Sequence, residues 1–496
     1  MSRLLTALAY IAPQAAMRRS HALAAIGAQR SYDGAKVGRR GASFNATRAS
    51  ANGALGPALS ELRERSSDLV RNTWIGARTL DVLSAHGIGT GINVAWQDSR
   101  VQDLWDEWVL SADIEGERDF AGVQLVAFRS MLERGDAGVR MIPRKIDAGR
   151  AVPLALQCVE GDLIATERDG VFDNRKSRLG VVLGDWNERE GYWLHAEHPG
   201  ENWLRSPSLV PNFVPRGDFC HLYRPLRAGQ VRGVPVLAPT LLSIRDYADT
   251  MDAMVVKTRM EACYGLIVSS TEGARNLGDG QGRVDDSGRQ IEGMSPGMIF
   301  RAKLGESVTA FSPSGSGQFE PVALSALMGI ASGGMITYDQ LTGDLRRANY
   351  SSLRAGKIEF RRLIEQLQWL TLVPQLMHRV TTRFIDTAIL AGKLKPRIKP
   401  YRRSYVMPSV EPIDPLKDLK ADILAVRAGR MSPQEFIGAW GRDWRKVSEE
   451  TREFWKQADK DGLILDIDPR RLDQSGTAQP VPADDVPPTD EPVPAP

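Results

Sequence analysis

The sequence predicts an α+β fold, because segments with helical periodicity flank a central region of short strand-like runs. Apolar residues recur at helical spacing in 58–85, 236–263 and 352–391, whereas 136–225 alternates β-rich runs with Gly, Pro and Asp. The 496 residues are 42% hydrophobic and 25% charged, and no apolar run approaches the roughly 18 residues of a membrane-spanning helix. Composition therefore excludes a wholly disordered, collagen-like or membrane-bundle chain.

The two ends of the chain differ from the middle in composition. The net charge is only +3, yet residues 1–50 hold eight Lys and Arg against one acidic residue. The early apolar run is short and Pro13 and Arg18 interrupt it, so we expect a basic N-terminal arm over 1–57 rather than a secretory signal. Residues 471–496 are rich in Pro and Asp and cannot bury enough apolar area to offset their ordering entropy, which predicts a disordered tail. Three Cys in so long a chain exclude a disulfide scaffold and favour a reducing compartment.

Helices precede a sheet in the first half of the chain. We expect one helix over 58–85, ended by the glycine-rich segment 87–91. That segment follows a helix rather than a strand, so it does not fit the phosphate-binding loop of a nucleotide site. Two helices are expected within 101–134, separated near Glu115 and Gly116. A mostly antiparallel sheet is predicted from the runs 138–142, 154–159, 180–183, 192–194 and 219–223.

The second half is predicted to be mainly helical. A helix over 236–263 leads to a Gly/Asp-rich stretch that fails as a calcium loop, because its twelfth position is Gln290 rather than Glu. A shorter helix precedes a polar loop over 337–351. The long helix over 352–391 should kink at Pro374. The C-terminal part is expected to be helical, with clear capping signals at its helix starts.

Few residues could carry chemistry. His195, His198 and His221, with Cys220, could in principle bind a metal, but no second close-set ligand pair completes a site. The cysteines lie in apolar contexts that are typical of buried thiols. No nucleophile elbow, Walker loop or kinase set is present. The residues therefore nominate no catalytic group, no metal site and no cofactor.

Several motifs recur in a fixed order between about residue 30 and residue 430. They are SYDGA at 31–35, LRERSSDLVRN at 62–72, GIGTGI at 87–92, RPLRAGQVRGVP at 224–235, LTGD at 341–344, NYSSLRA at 349–355, and DPLK with RAG at 414–417 and 427–429. The segment 224–235 is the most specific of them. On these motifs the sequence resembles the lambda-type family of tailed-bacteriophage portal proteins.

The resemblance implies a portal fold in a ring oligomer of twelve copies at one capsid vertex. It assigns 58–235 to the first part of an α/β wing, 236–263 to the first stem helix, 264–320 to a small clip and 321–334 to the second stem helix. It assigns 335–351 to a tunnel loop, 352–411 to a long kinked wing helix with a basic linker, and 412–470 to a helical crown.

The same resemblance implies a function without catalysis and a set of partners. Double-stranded DNA would enter the ring's channel during packaging and leave it during ejection. Expected protein partners are the terminase large subunit, the major capsid or scaffold protein, and head-completion or tail connector proteins. No membrane is expected to take part. The protein would reside in the virion after assembly in the cytoplasm of the host bacterium.

Two basic segments are the candidates for contact with DNA. In the tunnel loop, the resemblance places Arg346, Arg347, Asn349 and Tyr350 at the channel, where ring symmetry repeats each side chain. The alternative for the two arginines is a solvated turn, or subunit salt bridges with Asp339 and Asp344. A second basic block could face DNA near the crown or could be an exposed linker; it consists of Lys393, Lys395, Arg397, Lys399, Arg402 and Arg403.

Two other hypotheses make different predictions. A metal-dependent enzyme using His195, His198 and His221 would be a monomer or small oligomer whose metal is lost on chelation. A DNA-binding scaffold without ring closure would bind DNA in a salt-sensitive way as a monomer or dimer. A portal protein would instead form a large closed ring.

Overall fold

The computed structural model describes the chain in segments. The described residues are 14–15, 17–19, 48–146, 149–201, 210–262, 266–270, 283–284, 290–291, 306–310, 319–346, 349–410, 412, 414–463, 465, 468 and 470. Most of the predicted arm over 1–57, most of the predicted clip over 264–320 and the whole tail over 471–496 therefore lie outside the described residues. The described residues up to Ala58, with Arg227–Gly229, belong to one compact unit, and the other described residues belong to a second.

The helices lie mostly where the periodicity predicts them. In chain order they are α1 Ala51–Leu55, α2 Leu59–Asn72, α3 Trp74–Gly87, α4 Ser99–Val109, α5 Phe120–Arg134, α6 Leu241–Ala262, α7 Phe319–Gly333, α8 Tyr338–Thr342, α9 Tyr350–Leu367, α10 His378–Leu390, α11 Pro415–Arg427, α12 Pro433–Ala439 and α13 Trp444–Lys460. None of the described helices is both long and apolar enough to cross a bilayer.

One helix prediction is wrong in detail. The segment expected as a single helix over 58–85 is two helices, α2 and α3, divided at Thr73. The Thr73 side chain accepts a hydrogen bond from the backbone N–H of Gly76 and so caps α3. Because an N-cap residue has extended backbone angles, the first helix must end before it. Apolar spacing continues across such a break, which is why periodicity alone did not reveal it.

Antiparallel strands form five sheets among the described residues. The strands are β1 Asn93–Trp96, β2 Asp136–Pro143, β3 Leu154–Glu160, β4 Gly170–Phe172, β5 Arg175–Arg178, β6 Val181–Leu183, β7 Arg189–Leu194, β8 Asn212–Pro215, β9 Phe219–Tyr223, β10 Leu266–Ser270, β11 Arg283–Val284, β12 Gln290–Ile291, β13 Glu306–Ala310 and β14 Arg403–Val406. The sheet orders are β3-β2-β9, β4-β5-β6-β7-β8, β1-β14, β10-β13 and β11-β12. The predicted α+β class and the antiparallel character of 136–225 are confirmed.

An aromatic cluster lies at the centre of the main hydrophobic core. Trp105 contacts Trp108 and Phe384 with ring centroids 5.0 Å apart in both pairs, and Trp96 and Phe120 pack against the same indole. All five rings are buried. Because helix α4 supplies two of the rings and α10 another, the cluster joins the start of the chain to its long late helix.

The long helix predicted over 352–391 has three parts. Helices α9 and α10 are joined by a π-helical segment, Gln368–Met377, which contains Pro374. Proline has no N–H to donate, and both proline and π-helical turns are recognised causes of helix bending. Within the segment, the Gln375 side chain accepts a hydrogen bond from the backbone N–H of Tyr223 and donates one to the carbonyl of the same residue. The side-chain amide thus pairs with the end of β9 as the backbone of a neighbouring strand would.

Candidate nucleic-acid interface

The segment between α7 and α9 carries the first candidate residues and is more ordered than a polar loop. Thr337 and Gln340 form a capping box that starts the five-residue helix α8, and Gly343, with φ of +69°, ends it in the left-handed region. Glycine adopts this conformation without steric cost. The prediction of a continuous loop over 337–351 is therefore wrong for α8, because the local capping residues nucleate a turn of helix.

Arg346 lies at the exposed tip of this segment. Its side chain is 85% exposed, and its Nε lies 2.9 Å from Oδ1 of Asp344. A second nitrogen, Nη2, donates to Asp344 Oδ2 at 2.9 Å, which gives a two-point ion pair. These bonds hold the pKa of the Asp344 carboxyl well below its usual range and raise the pKa of the guanidinium. The pair fixes the direction of Arg346 while leaving its surface open to solvent.

The other tunnel-loop candidates have different surroundings. Arg347 lies outside the described residues. Asn349 is the N-cap of α9, where its Oδ1 accepts from the backbone N–H of Ser352 and the Ser352 hydroxyl accepts from the Asn349 N–H. The hydroxyl of Tyr350, a residue that is 48% exposed, accepts from Arg354. Asn349 thus starts the long helix that supports the loop.

The basic block over 393–403 is not a simple exposed linker. Arg397 pairs with Asp98 at 2.9 Å and stacks on the ring of Tyr401, with its Cζ 4.4 Å from the ring centroid. Arg403 begins β14, which pairs with β1, and its Cζ lies 5.5 Å from the centroid of Trp96. The strand pairing and these contacts tie the block to the core. The side chains that remain exposed and face away from such contacts are Lys393, Lys395, Lys399 and Arg402.

The three histidines considered for a metal site pair with three different carboxylates. His195 lies 3.0 Å from Glu167, His198 lies 3.3 Å from Glu160, and His221 lies 3.3 Å from Asp136. Among the described residues, the group that approaches metal-ligand spacing is Glu160, Asp162 and His198.

That carboxylate group is already neutralised by arginine. Arg134 Nε lies 2.6 Å from Asp162 and 3.6 Å from Glu160, and Arg63 lies 3.7 Å from Asp162. Two guanidinium groups therefore lie close enough to these carboxylates to balance their charge. The arrangement is that of an ion-pair cluster.

Sequence reasoning missed a buried ionic network centred on Asp136. This carboxylate is fully buried and accepts from Arg63, from Arg232 and from the backbone N–H of Gly233. Burial opposes its ionisation, but the charges of Arg232 and Arg63 and the bond from His221 outweigh burial, so the pKa of Asp136 lies well below its usual range. Arg63 lies in the motif at 62–72 and Arg232 lies in the motif at 224–235. Membership of these motifs is the feature of the sequence that points to the two arginines.

Arg232 connects this network to neighbouring strands. Its Nη1 donates to the carbonyl of Leu179 at 2.8 Å, and its Nη2 donates to the carbonyl of Gly161 at 2.6 Å. One buried guanidinium therefore joins three parts of the chain through charge and backbone contacts together.

The glycine that follows Arg232 has a packing role. A Cβ on Gly233 would lie 1.8 Å from the carbonyl oxygen of Gly135. Only glycine permits this approach of two backbones beside the Asp136 carboxylate. The close approach explains why the motif at 224–235 contains Arg and Gly in succession.

The chain is similar to known proteins along most of its length. Residues 37–368 match the family described as "Phage portal protein, lambda family". The probable portal protein of Halomonas phage phiHAP-1 is 24% identical over 357 residues, which cover 69% of this chain and 68% of that protein. The portal protein of Escherichia phage N15 is 22% identical over 367 residues, which cover 64% and 67%.

A chain from the virion of a native gene transfer agent particle is 14% identical in sequence, with a TM-score of 0.44. The alignment covers 77% of this chain and 93% of that one. The family match extends over well more than half of the 496 residues and includes both motif arginines that bind Asp136. The chain belongs to the lambda family of phage portal proteins.

Proposed function

We propose that this portal protein forms a closed ring at a single capsid vertex, and that double-stranded DNA passes through the channel of the ring. DNA would enter during packaging and leave during ejection. The observation that carries the proposal is the family match over 37–368, joined to an arginine presented on a short ordered loop. The family is structural, and we propose no catalytic step and no cofactor.

The chemistry of Arg346 suits a sliding contact with DNA. In a ring, each subunit would contribute one such side chain at the same height, forming a circle of cations. Contacts from arginine to phosphate are independent of sequence and sensitive to salt. Because Asp344 offsets part of the charge on Arg346, such a circle would attract phosphate without holding it tightly.

Exposed apolar side chains on the two helices expected to form the stem support self-association. On α6, Leu242 is 70% exposed and Val256 is 52% exposed, and on α7, Val322 is 63% exposed. Exposed apolar residues that recur along neighbouring helices are typical of surfaces covered by another protein. We propose that identical subunits, twelve in number, cover them.

The remaining partners follow from a position at the vertex. We propose that the ring binds the terminase large subunit during packaging and head-completion or tail connector proteins afterwards. The major capsid protein or its scaffold would hold the ring during assembly in the bacterial cytoplasm.

Deletion of the gene in a phage that encodes this chain tests the proposal. We expect heads without packaged DNA in electron micrographs, and we expect a plasmid copy of the gene to restore filled heads. Normal numbers of filled heads in the deletion strain would contradict a portal role.

A further inference from the structure

Helix α11 leaves three of its leucines exposed, while its other large apolar residues, Ile423 and Val426, are partly buried. Leu416 is 63% exposed and Leu424 is 62% exposed, and Leu419 is exposed as well. Asp418 and Asp422, on the opposite side of the helix, line a groove of about 530 Å³ beside α9. A helix that stabilises a single chain normally buries its apolar side. The exposure of three leucines on one helix indicates that another protein surface covers them.

The surrounding helices give the leucines little cover. In α11, α12 and α13, all of whose residues are described, the buried side chain is Ala458 alone. Helix α11 itself buries none. Because apolar burial is the main source of stability for an amphipathic helix, this C-terminal segment gains from an external contact.

Basic residues border the leucines of α11. Lys420 and Arg427 lie on the same side of the helix as Leu416, since each is separated from it by a near-whole number of turns. Both side chains are exposed. The complementary surface should therefore be apolar at its centre and acidic at its edge.

Helix α13 of the same chain presents such a surface. Phe454 is 49% exposed, and the exposed Glu450 lies one turn before it on the same side of the helix. Glu453, also exposed, is adjacent in sequence and lies about 100° around the helix, at the border of this face. Glu450 also pairs with Arg442. The aromatic ring supplies the apolar centre, and the glutamates supply the acidic edge.

A ring of identical subunits needs two different surfaces that fit one another, because each subunit contacts the next head to tail. We propose that the leucine face of α11, formed by Leu416, Leu419 and Leu424, packs against the Phe454 face of α13 in the next copy of this chain. This inference rests on the ring proposed above. The partner is a second copy, since the two faces are complementary in charge and belong to the same run of helices.

Disulfide cross-linking tests the contact in assembled rings of the full chain. The variant Leu424→Cys with Phe454→Cys should give a ladder of covalently joined subunits under mild oxidation. Either single variant should stay at the mass of one chain and so measures the background of the native cysteines. Burial raises the thiol pKa of Cys158 and of Cys220 to about 12, which slows their reaction.

Charge exchange provides a second measurement that does not depend on cysteine geometry. Lys420→Glu should raise the subunit concentration needed for ring assembly by about tenfold, because it places like charges together. Adding Glu453→Lys to that variant should restore assembly. Arg452→Glu, about 160° around α13 from Phe454, is the matched control and should assemble normally.

The results separate this inference from the ring itself. A wild-type chain that forms no ring under any assembly condition would overturn the proposed function. Rings that form normally, give no ladder from the double cysteine variant and show no rescue by charge exchange would overturn the α11–α13 contact alone.

Discussion

Asp136 and Arg232 form an ion pair whose two side chains are completely buried, with Arg232 Nε 2.5 Å from Asp136 Oδ2. Arg63 binds the same carboxylate through its other oxygen. The two arginines are 169 residues apart in sequence, and each lies in a motif that supports the family resemblance. The motifs at 62–72 and 224–235 therefore share a structural purpose, which is to meet on one buried carboxylate.

Removing Arg232 should destabilise the fold strongly. The variant Arg232→Met leaves Asp136 buried with less compensation, and breaking a buried ion pair typically costs about 3–5 kcal/mol of unfolding free energy. Urea unfolding followed by circular dichroism measures this loss. Arg65→Met is the matched control, because Arg65 is 58% exposed and pairs with Glu61 on the surface; it should lose under about 1 kcal/mol. Equal losses would contradict the network's structural role.

Acid should weaken the fold through His221. Its Nδ1 lies 2.8 Å from Arg189 and its Nε2 faces Asp136, which fits a neutral ring donating from Nε2. Burial lowers the pKa of His221 from 6.5 to about 4. The unfolded chain therefore binds more protons in this range, and stability should fall by up to about 3 kcal/mol as pH decreases through it.

His221→Gln provides the comparison for this pH dependence. The variant removes the titrating ring, so its stability should change less between pH 6.5 and pH 4 than that of the parent. Asp136 keeps its charge to lower pH because its pKa is lowered as well, and its contribution is lost only below this range. Parallel stability profiles for parent and variant would show that His221 does not control the acid response.

The double variant Arg346→Ala with Arg347→Ala should assemble normally and yet package or retain DNA poorly. Arg346 is exposed and contacts only its own loop in the pairs described above, so its loss should spare the fold. Packaged DNA per head, measured after nuclease treatment, reports the effect. The matched control is Arg65→Ala with Arg71→Ala, which removes two exposed charges from α2. Normal DNA content in the loop variant would show that Arg346 and Arg347 do not contact DNA in the channel.

Asn349 should act through helix capping rather than through DNA. Asn349→Ala should cost about 1 kcal/mol of stability, because the first turn of α9 loses its acceptor. Asn349→Ser keeps a capping oxygen and should retain both stability and DNA content. Thermal unfolding and DNA content measured on the same preparations distinguish the roles. Full stability with lost DNA in the alanine variant would favour direct contact.

Local patterns in the sequence predicted most helices and several strands of the three- and five-stranded sheets. The runs 138–142 and 219–223 lie inside β2 and β9, and the division between α4 and α5 falls near Gly116 as expected. Such elements depend on nearby spacing and turn residues, which one sequence displays directly.

The pairing of β1 with β14 could not be predicted in the same way. Asn93 pairs with Val406 across more than three hundred residues, and neither segment alone indicates its partner. The contacts of Arg403 with Trp96 follow from that pairing. For the same reason, the sequence shows six basic residues as one block. Only the structure distinguishes those that contact the core from those that remain exposed.

The candidate site shows a similar limit. The resemblance assigns Asn349 to contact with DNA. The spacing of Asn349 and Ser352 also fits the start of a helix, and in the structure Asn349 is the N-cap of α9. No local pattern in the sequence distinguishes Asp136 from other acidic residues, since it is a single aspartate at the start of a strand. Its importance arises because distant arginines converge on it.

The mass of the purified assembly, measured by light scattering and joined to negative-stain images, tests the central claim most directly. The account predicts a closed ring with a central hole and a mass near twelve times 54.6 kDa. Chains that remain single or paired, even in the presence of the capsid and scaffold proteins of their own phage, would contradict it.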